Sequence, residues 1–239
     1  MVQRNISTNF LCDTMESLGR IVKVNSGLFS KSNRLALTNI NLRDFLRTRR
    51  SIRRFKPDVV PDSVLRDILL TSTFAPSAHH RQPWRFVVIK ESSTKKHLAD
   101  SMANAFQQDL REKDNLPQEE IEKLINRSKS RINSAPVVIM LCLDMTDMNQ
   151  YEDKKRQRAE FLTATQSVAN AGMQLLLAAH AEGLGGVWVC SPIFAQETAQ
   201  NALEIPKTWE PQAMFLIGYP ADVPKVRDRK PLDEVVKFV

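Results

Sequence analysis

The stretch Arg49-Arg50-Ser51-Ile52-Arg53-Arg54-Phe55 alternates cations, a hydroxyl and apolar side chains. Side chains of an extended segment alternate with a period of two, so Arg49, Ser51 and Arg53 share one side while Ile52 turns toward the core. Two guanidiniums and a hydroxyl so placed suit a phosphate, whose oxygens accept the planar fork of arginine. Seven cations (Arg43, Arg47, Arg49, Arg50, Arg53, Arg54, Lys56) face one acid, Asp44, between residues 43 and 56. A second cluster, Lys225, Arg227, Arg229 and Lys230, surrounds Asp228. Crowding of like charge is unfavourable unless water or an anion relieves it. Each cluster is therefore either a solvated face, part of a pocket for a dianionic group, or a nucleic-acid surface.

The phosphate-binding loops built on glycine are missing. Glycine contributes 7 of 239 residues, and neither G-x-G-x-x-G nor G-x-x-x-x-G-K-[ST] occurs. Side-chain cations must take over any such role. The 3 cysteines (Cys12, Cys142, Cys190) form no C-x-x-C pair, and the 4 histidines (His79, His80, His97, His180) lack metal-ligand spacing, so neither a disulfide framework nor a metal centre is expected.

A composition of 42% hydrophobic and 26% charged residues is that of a globular protein, and the net charge is +7. The longest apolar run, Val137 to Leu143, falls well short of the roughly 20 residues that span a bilayer. With no secretory signal evident at the start, a soluble, cytoplasmic protein without membrane partners is expected.

These residues need a scaffold, and its outline is legible. Residues 1–40, rich in Asn, Ser and Thr, read as a weakly structured extension, and residues 41–239 as one domain. Asn41 can cap a helix over Leu42 to Thr48 with Asp44 in its first turn. Pro61 and Asp62 open a second helix bearing Leu65, Ile68 and Leu69, and Pro76 marks its end. Ser77 to Pro83 is a polar loop before the strand Trp84 to Lys90. Residues 92–132 form two helices broken near Pro117, with Leu110, Ile121, Leu124 and Ile125 inward. Val137 to Leu143 is a strand covered on both faces, since it shows no polar alternation. A helix from Glu160 to Ala181 is apolar nearly all round after Ala171, so it is either central to the core or at a subunit contact. Glycines 183, 185 and 186 stop it before the strand Val187 to Cys190. A helix from Phe194 to Leu203 and a strand from Met214 to Gly218 complete an α+β pattern, a small mixed sheet flanked by helices.

Four blocks in order, R-R-S-I-R-R-F, A-P-S-A-H-H-R-Q-P-W-R-F, G-L-G-G-V-W-V-C-S-P-I-F and L-I-G-Y-P with R-D-R-K-P-L-D-E-V-V, resemble the FMN-dependent nitroreductase family from about Asn41 to Val239. The A-P-S-x-H-x-x-Q-P-W form is similar to the reductase domain associated with ligases that elongate the deazaflavin coenzyme. The resemblance implies a nitroreductase-like sandwich assembled as an intertwined homodimer, with FMN at the subunit boundary. It implies that Arg49, Arg50, Ser51 and Arg53 of one chain hold the phosphate and ribityl end, and that Arg227 and Arg229 close on the same phosphate. From the other chain, Pro76, Ser77, Ala78 and His79 would lie against the flavin, with Gln82 fixing their loop from behind. Trp188, Val189 and Cys190 would run along the opposite flavin face, the preceding glycines allowing close backbone approach.

The implied activity is two-electron transfer by ping-pong, from NADH or NADPH to a nitroaromatic, quinone or other unsaturated acceptor. A deazaflavin-coenzyme precursor is the alternative acceptor. No catalytic side chain is required, because the cofactor carries the hydride chemistry. Helices in residues 92–132 would shape one wall of the substrate space. A reading of another class, a basic nucleic-acid-binding protein, draws on the same arginines but lacks aromatic residues interleaved as stacking platforms.

Overall fold

The structure is a computed structural model that describes residues 42–112, 116–222 and 224–239. The extension expected over residues 1–40, the Asn41 cap and Cys12 lie outside the described residues. The helices are α1 (Leu42–Thr48), α2 (Asp62–Ser72), α3 (Ser92–Glu112), α4 (Gln118–Ser134), α5 (Lys154–Ala181), α6 (Gln196–Leu203) and α7 (Leu232–Val235). The strands are β1 (Trp84–Ile89), β2 (Val137–Asp144), β3 (Gly185–Val189) and β4 (Trp209–Gly218), joined in the order β1-β2-β4-β3.

Strand β2 is buried along its whole length, and its alternation explains how. Val137, Ile139, Leu141 and Leu143 pack with Leu65 and Ile68 of α2 and with Val168, Ala171 and Leu175 of α5. Val138, Met140 and Cys142 pack the other way, against Leu98 and Met102 of α3, Ile132 of α4 and Ala199 of α6. A strand with helices on both faces has no solvent side, so the usual polar alternation disappears. Most of the apolar stretch of α5 is thus absorbed within its own subunit: Ala171, Leu175, Leu176, Ala178 and Ala179 are buried here.

All pairing among the four strands is antiparallel, and the mixed character resides in one parallel bridge, Ser51 with Gly186. Strand β4 begins five residues earlier than its apolar core suggests, at Trp209 rather than Met214. Pro211 hides this start, because proline cannot donate to a ladder. It is tolerated beside a register shift, where Leu141 and Cys142 of β2 face Ala213 and Pro211 and Gln212 is skipped. Helix α5 likewise starts early. Asp153 caps it by accepting the Arg156 N–H at 2.9 Å, ahead of a polar first turn with no apolar period to betray it. It ends where Gly183 adopts φ +73° and the Leu184 N–H reaches back to Ala179 O at 2.8 Å.

Candidate functional site

The basic segment after α1 runs along the outer edge of β3 and then beside the chain leaving β4. Ile52 N–H donates to Gly186 O at 3.1 Å, and Lys56 N–H to Tyr219 O at 2.9 Å. Ala221 N–H returns to Arg54 O at 3.1 Å. Ile52 anchors the segment: it is buried, and a Cβ on Gly185 would come within 2.7 Å of it. The close approach that β3's glycines permit is thus taken up by Ile52 and, at Gly186, by Leu176 and Ile217.

This pairing brings distant cations together. Arg49, Arg50, Ser51 and Arg53 line a cavity of about 160 Å³ with Pro224, Lys225, Arg227 and Arg229. No carboxylate is among these lining residues. Partial burial, and then the charges of Arg50 and Arg229, hold the Arg49 guanidinium below its usual pKa. Arg50 turns one guanidinium nitrogen to Arg47 O and Arg49 O, at 2.5 and 2.8 Å. His180, at the end of α5, stacks on Phe45 with ring centroids 5.0 Å apart and lies 3.1 Å from Thr48 Oγ1. Burial, followed by Arg49 and Arg50, lowers its pKa. The cluster is strongly cationic with little to offset it, an electrostatic setting that attracts an anion.

The loop Pro76–Gln82 forms a second group on another part of the domain. His79, His80 and Gln82 have φ of 50°, 56° and 51°, three left-handed non-glycine residues in one short loop. Such residues persist only where their surroundings fix them, and they concentrate at functional sites. Ala78 N–H donates to Ser167 Oγ of α5 at 3.0 Å, and Gln82 N–H to Ser77 Oγ at 3.2 Å. From behind, Asp144 N–H donates to Pro83 O at 2.8 Å while Arg85 pairs with Asp144 at 3.0 Å. Pro76 and His79 are exposed, and Ser77, Ala78 and Gln82 are half-buried.

A third group sits at the end of β3. Trp188 is half-buried, edge-on to Phe215 with centroids 5.0 Å apart, and packs closely on Gly172. Val189 lines a cavity of about 240 Å³ with residues of α4, and Cys190 is exposed. Beside it, the Ser191 hydroxyl is buried with no hydrogen-bond partner among the described residues. A hydroxyl left so is costly unless a polar group arrives to meet it.

A family model described as the nitroreductase family matches residues 46–219. The chain belongs to that family. Among nitroreductase relatives, it is 31% identical over 191 residues to YfhC of Bacillus subtilis, named as an NAD(P)H nitroreductase, covering 80% of this chain and 90% of that one. It is 30% identical over 212 residues to a Thermus thermophilus protein named NADH dehydrogenase, covering 79% and 91%. Of solved structures, a BluB-like flavoprotein from Clostridium difficile matches with a TM-score of 0.72 and 25% identity, over 84% of this chain and 99% of that one. A nitroreductase-type protein from Desulfovibrio desulfuricans, solved in complex with FMN, matches with a TM-score of 0.63 and 27% identity, over 82% and 95%.

Within this nitroreductase chain the expected site residues thus fall into three places: the cation cavity, the Pro76–Gln82 loop and the end of β3. Arg49, Arg50, Ser51, Arg53, Arg227 and Arg229 converge, whereas Pro76, Ser77, Ala78, His79 and Gln82 and the trio Trp188, Val189 and Cys190 do not line that cavity. Sequence reasoning missed Ser167, a buried polar residue of α5, and the Arg85–Asp144 pair that braces the loop. It also left out Lys225, although the charge of its cluster pointed there.

Proposed function

We propose that this nitroreductase-family chain is an FMN-dependent oxidoreductase passing two electrons from NADH or NADPH to a small unsaturated acceptor such as a nitroaromatic or a quinone. One observation carries the reading: arginines from opposite ends of the domain line one cavity of about 160 Å³ with no acid among them. That donor set fits a phosphate dianion, and Arg49, Arg50, Ser51, Arg53, Arg227 and Arg229 would hold it. FMN held there would supply the hydride chemistry of the two-electron transfer. For a quinone, NAD(P)H, a proton and the quinone yield NAD(P)⁺ and the hydroquinone, with the donor leaving before the acceptor enters.

The chain's own residues position, tune and exclude water. The clustered arginines would neutralise the phosphate and fix that end of the cofactor. The strained loop Pro76–Gln82, locked by Ser167, offers a rigid wall. Trp188, Val189 and Cys190 offer the other, and the partnerless Ser191 hydroxyl is a polar group held ready beside it. These walls meet the phosphate site across a homodimer. Leu70 and Phe74 of and just after α2, with Phe161, Leu162 and Met173 of α5, support this pairing, being exposed apolar side chains on a single subunit. Convergence of the arginines also disfavours a nucleic-acid surface, which spreads its cations along a face.

Purification with cofactor identification by mass and absorbance tests the reading, followed by a donor and acceptor screen on the same sample. A yellow protein that releases FMN and oxidises reduced nicotinamide with an acceptor is expected. A colourless protein retained on DNA in a steeply salt-dependent way would overturn it.

A further inference from the structure

A second cationic hollow lies on the far side of Arg53. It has a volume of about 480 Å³ and is lined by Arg53, Arg54, Phe55, Ser130, Arg131 and Ser134. Arg131 also lines the 240 Å³ cavity, together with Arg127, Ser128 and Val189. The two hollows therefore share Arg131, and the second reaches the strand end expected beside the flavin. No carboxylate lines either one among the described residues.

The charges here are arranged at a cost. Arg127 and Arg131 stand four apart on α4, where like charges repel across one turn and weaken the helix. A third cation, Arg53, faces them from the segment paired to β3. Arg131 is half-buried, and its pKa is lowered by burial, then by Arg127 and Arg53. Among the described residues Arg54 pairs with Asp222 at 3.5 Å while Arg53, Arg127 and Arg131 form no ion pair, although Arg127 also borders a separate hollow that Glu119 and Glu120 line. Ser128, Ser130 and Ser134 line the same hollows; Ser134 Oγ donates to Arg131 O at 3.4 Å, which leaves Ser128 and Ser130 as neutral donors beside the charged ones. Guanidiniums and hydroxyls around an open, acid-free hollow make a receptor for a multiply charged oxyanion.

We propose that Arg127 and Arg131 of α4, with Arg53 opposite, form a subsite for a phosphate or carboxylate group carried by the substrate, so that the enzyme prefers an anionic donor or acceptor. The inference rests on the oxidoreductase reading above; Arg127 and Arg131 do not line the cofactor's phosphate cavity, whereas Arg53 lines both hollows. Two sources share this chemistry, the extra phosphate of NADPH and an acidic group on the acceptor. In either case one end of the molecule reaches the Val189 side while its anion is held by α4.

The test uses the flavin-loaded protein as purified, the double variant Arg127→Ala/Arg131→Ala and the charge-conserving Arg127→Lys/Arg131→Lys. Calorimetry with inorganic pyrophosphate measures the subsite directly. Loss of the charge-assisted contacts should weaken pyrophosphate by about tenfold or more in the alanine variant, with most of the affinity restored in the lysine variant. Steady-state kinetics then separates the sources. A fall of about tenfold in the NADPH-to-NADH ratio of kcat/KM, with menadione as acceptor, assigns the anion to the donor. A similar fall in the 4-nitrobenzoate-to-4-nitrobenzamide ratio, with NADH as donor, assigns it to the acceptor. Unchanged pyrophosphate affinity in the alanine variant, or both ratios unchanged, overturns the proposal. Flavin content and melting temperature are recorded for each protein. Absence of FMN from the wild type would sink the oxidoreductase reading, whereas pyrophosphate binding would still report on the α4 arginines.

Discussion

Replacing Arg229 by alanine has two separable effects. In the flavin-loaded protein the change removes one guanidinium from the phosphate cavity, and a charge-assisted hydrogen bond contributes about 1.5–3 kcal/mol. In the same step it relieves the repulsion that Arg229 exerts on Arg49, whose pKa is lowered first by burial and then by Arg50 and Arg229. That repulsion acts in the free protein as well as the loaded one and so does not offset the loss of affinity, which should be about 1.5–3 kcal/mol, or about 10- to 150-fold in the FMN dissociation constant. The cofactor-free protein should respond with the opposite sign, because there only the repulsion is removed. Titration of apoprotein by quenching of flavin fluorescence measures the first quantity, and thermal melting of apoprotein the second. Riboflavin, which lacks the phosphate, is the control and should bind wild type and variant alike. An unchanged FMN affinity, an equal loss of riboflavin affinity, or a clearly lower melting temperature of the apoprotein would each refute convergence of the two clusters on one phosphate.

Further outcomes are expected. Gly172→Ala would place a methyl group 2.5 Å from Trp188 Cζ3 and 2.9 Å from Phe215 Cζ; overpacking should cost about 1–3 kcal/mol in denaturant unfolding and alter tryptophan fluorescence. Ser167→Ala leaves the Ala78 N–H without its acceptor, so unfolding should show a loss of about 1–3 kcal/mol, and FMN should be released faster. His180 has its pKa lowered by burial and by Arg49 and Arg50, so the unfolded chain holds its proton more tightly. Stability should therefore rise with pH from that lowered value up to the ordinary 6.5 and level off above it. Neutralisation of the arginines by FMN phosphate should move the His180 value upward in an NMR titration. Burial within β2 pushes the Cys142 thiol up to about 12, so it should resist thiol reagents at pH 8 until the protein is unfolded, as peptide mass would show.

The strands and helices were legible where a single period governs the chain. Val137–Asp144 and Trp84–Ile89 lie within a residue of their sequence-based bounds, because uninterrupted β-branched and aromatic runs leave few alternatives. Where a local rule is overridden, the reading slipped. Pro211 concealed the start of β4, and the polar first turn of α5 concealed a helix set by the Asp153 cap. At the site, Arg49, Arg50, Ser51 and Arg53 were marked by their own alternation, and Arg227 and Arg229 by the crowding of charge. What joins the two sets is the pairing of Ile52 with Gly186 and of Lys56 with Tyr219, and backbone hydrogen bonds of this kind leave no trace in side-chain pattern. Arg127 and Arg131 escaped notice for a related reason. On a charged helix such as α4 two more arginines look like a solvated face until the fold sets Arg53 against them.

The seam between the segment after α1 and the chain leaving β4 also has a bearing on biogenesis. A nascent polypeptide that has not yet been translated through Arg229 carries half a socket, however well its sheet has begun to form. On the function proposed above, coenzyme capture would then wait for the later arginines to emerge. Prematurely terminated products, left with an uncompensated knot of positive charge, would be bleached of flavin and handed to cellular quality control.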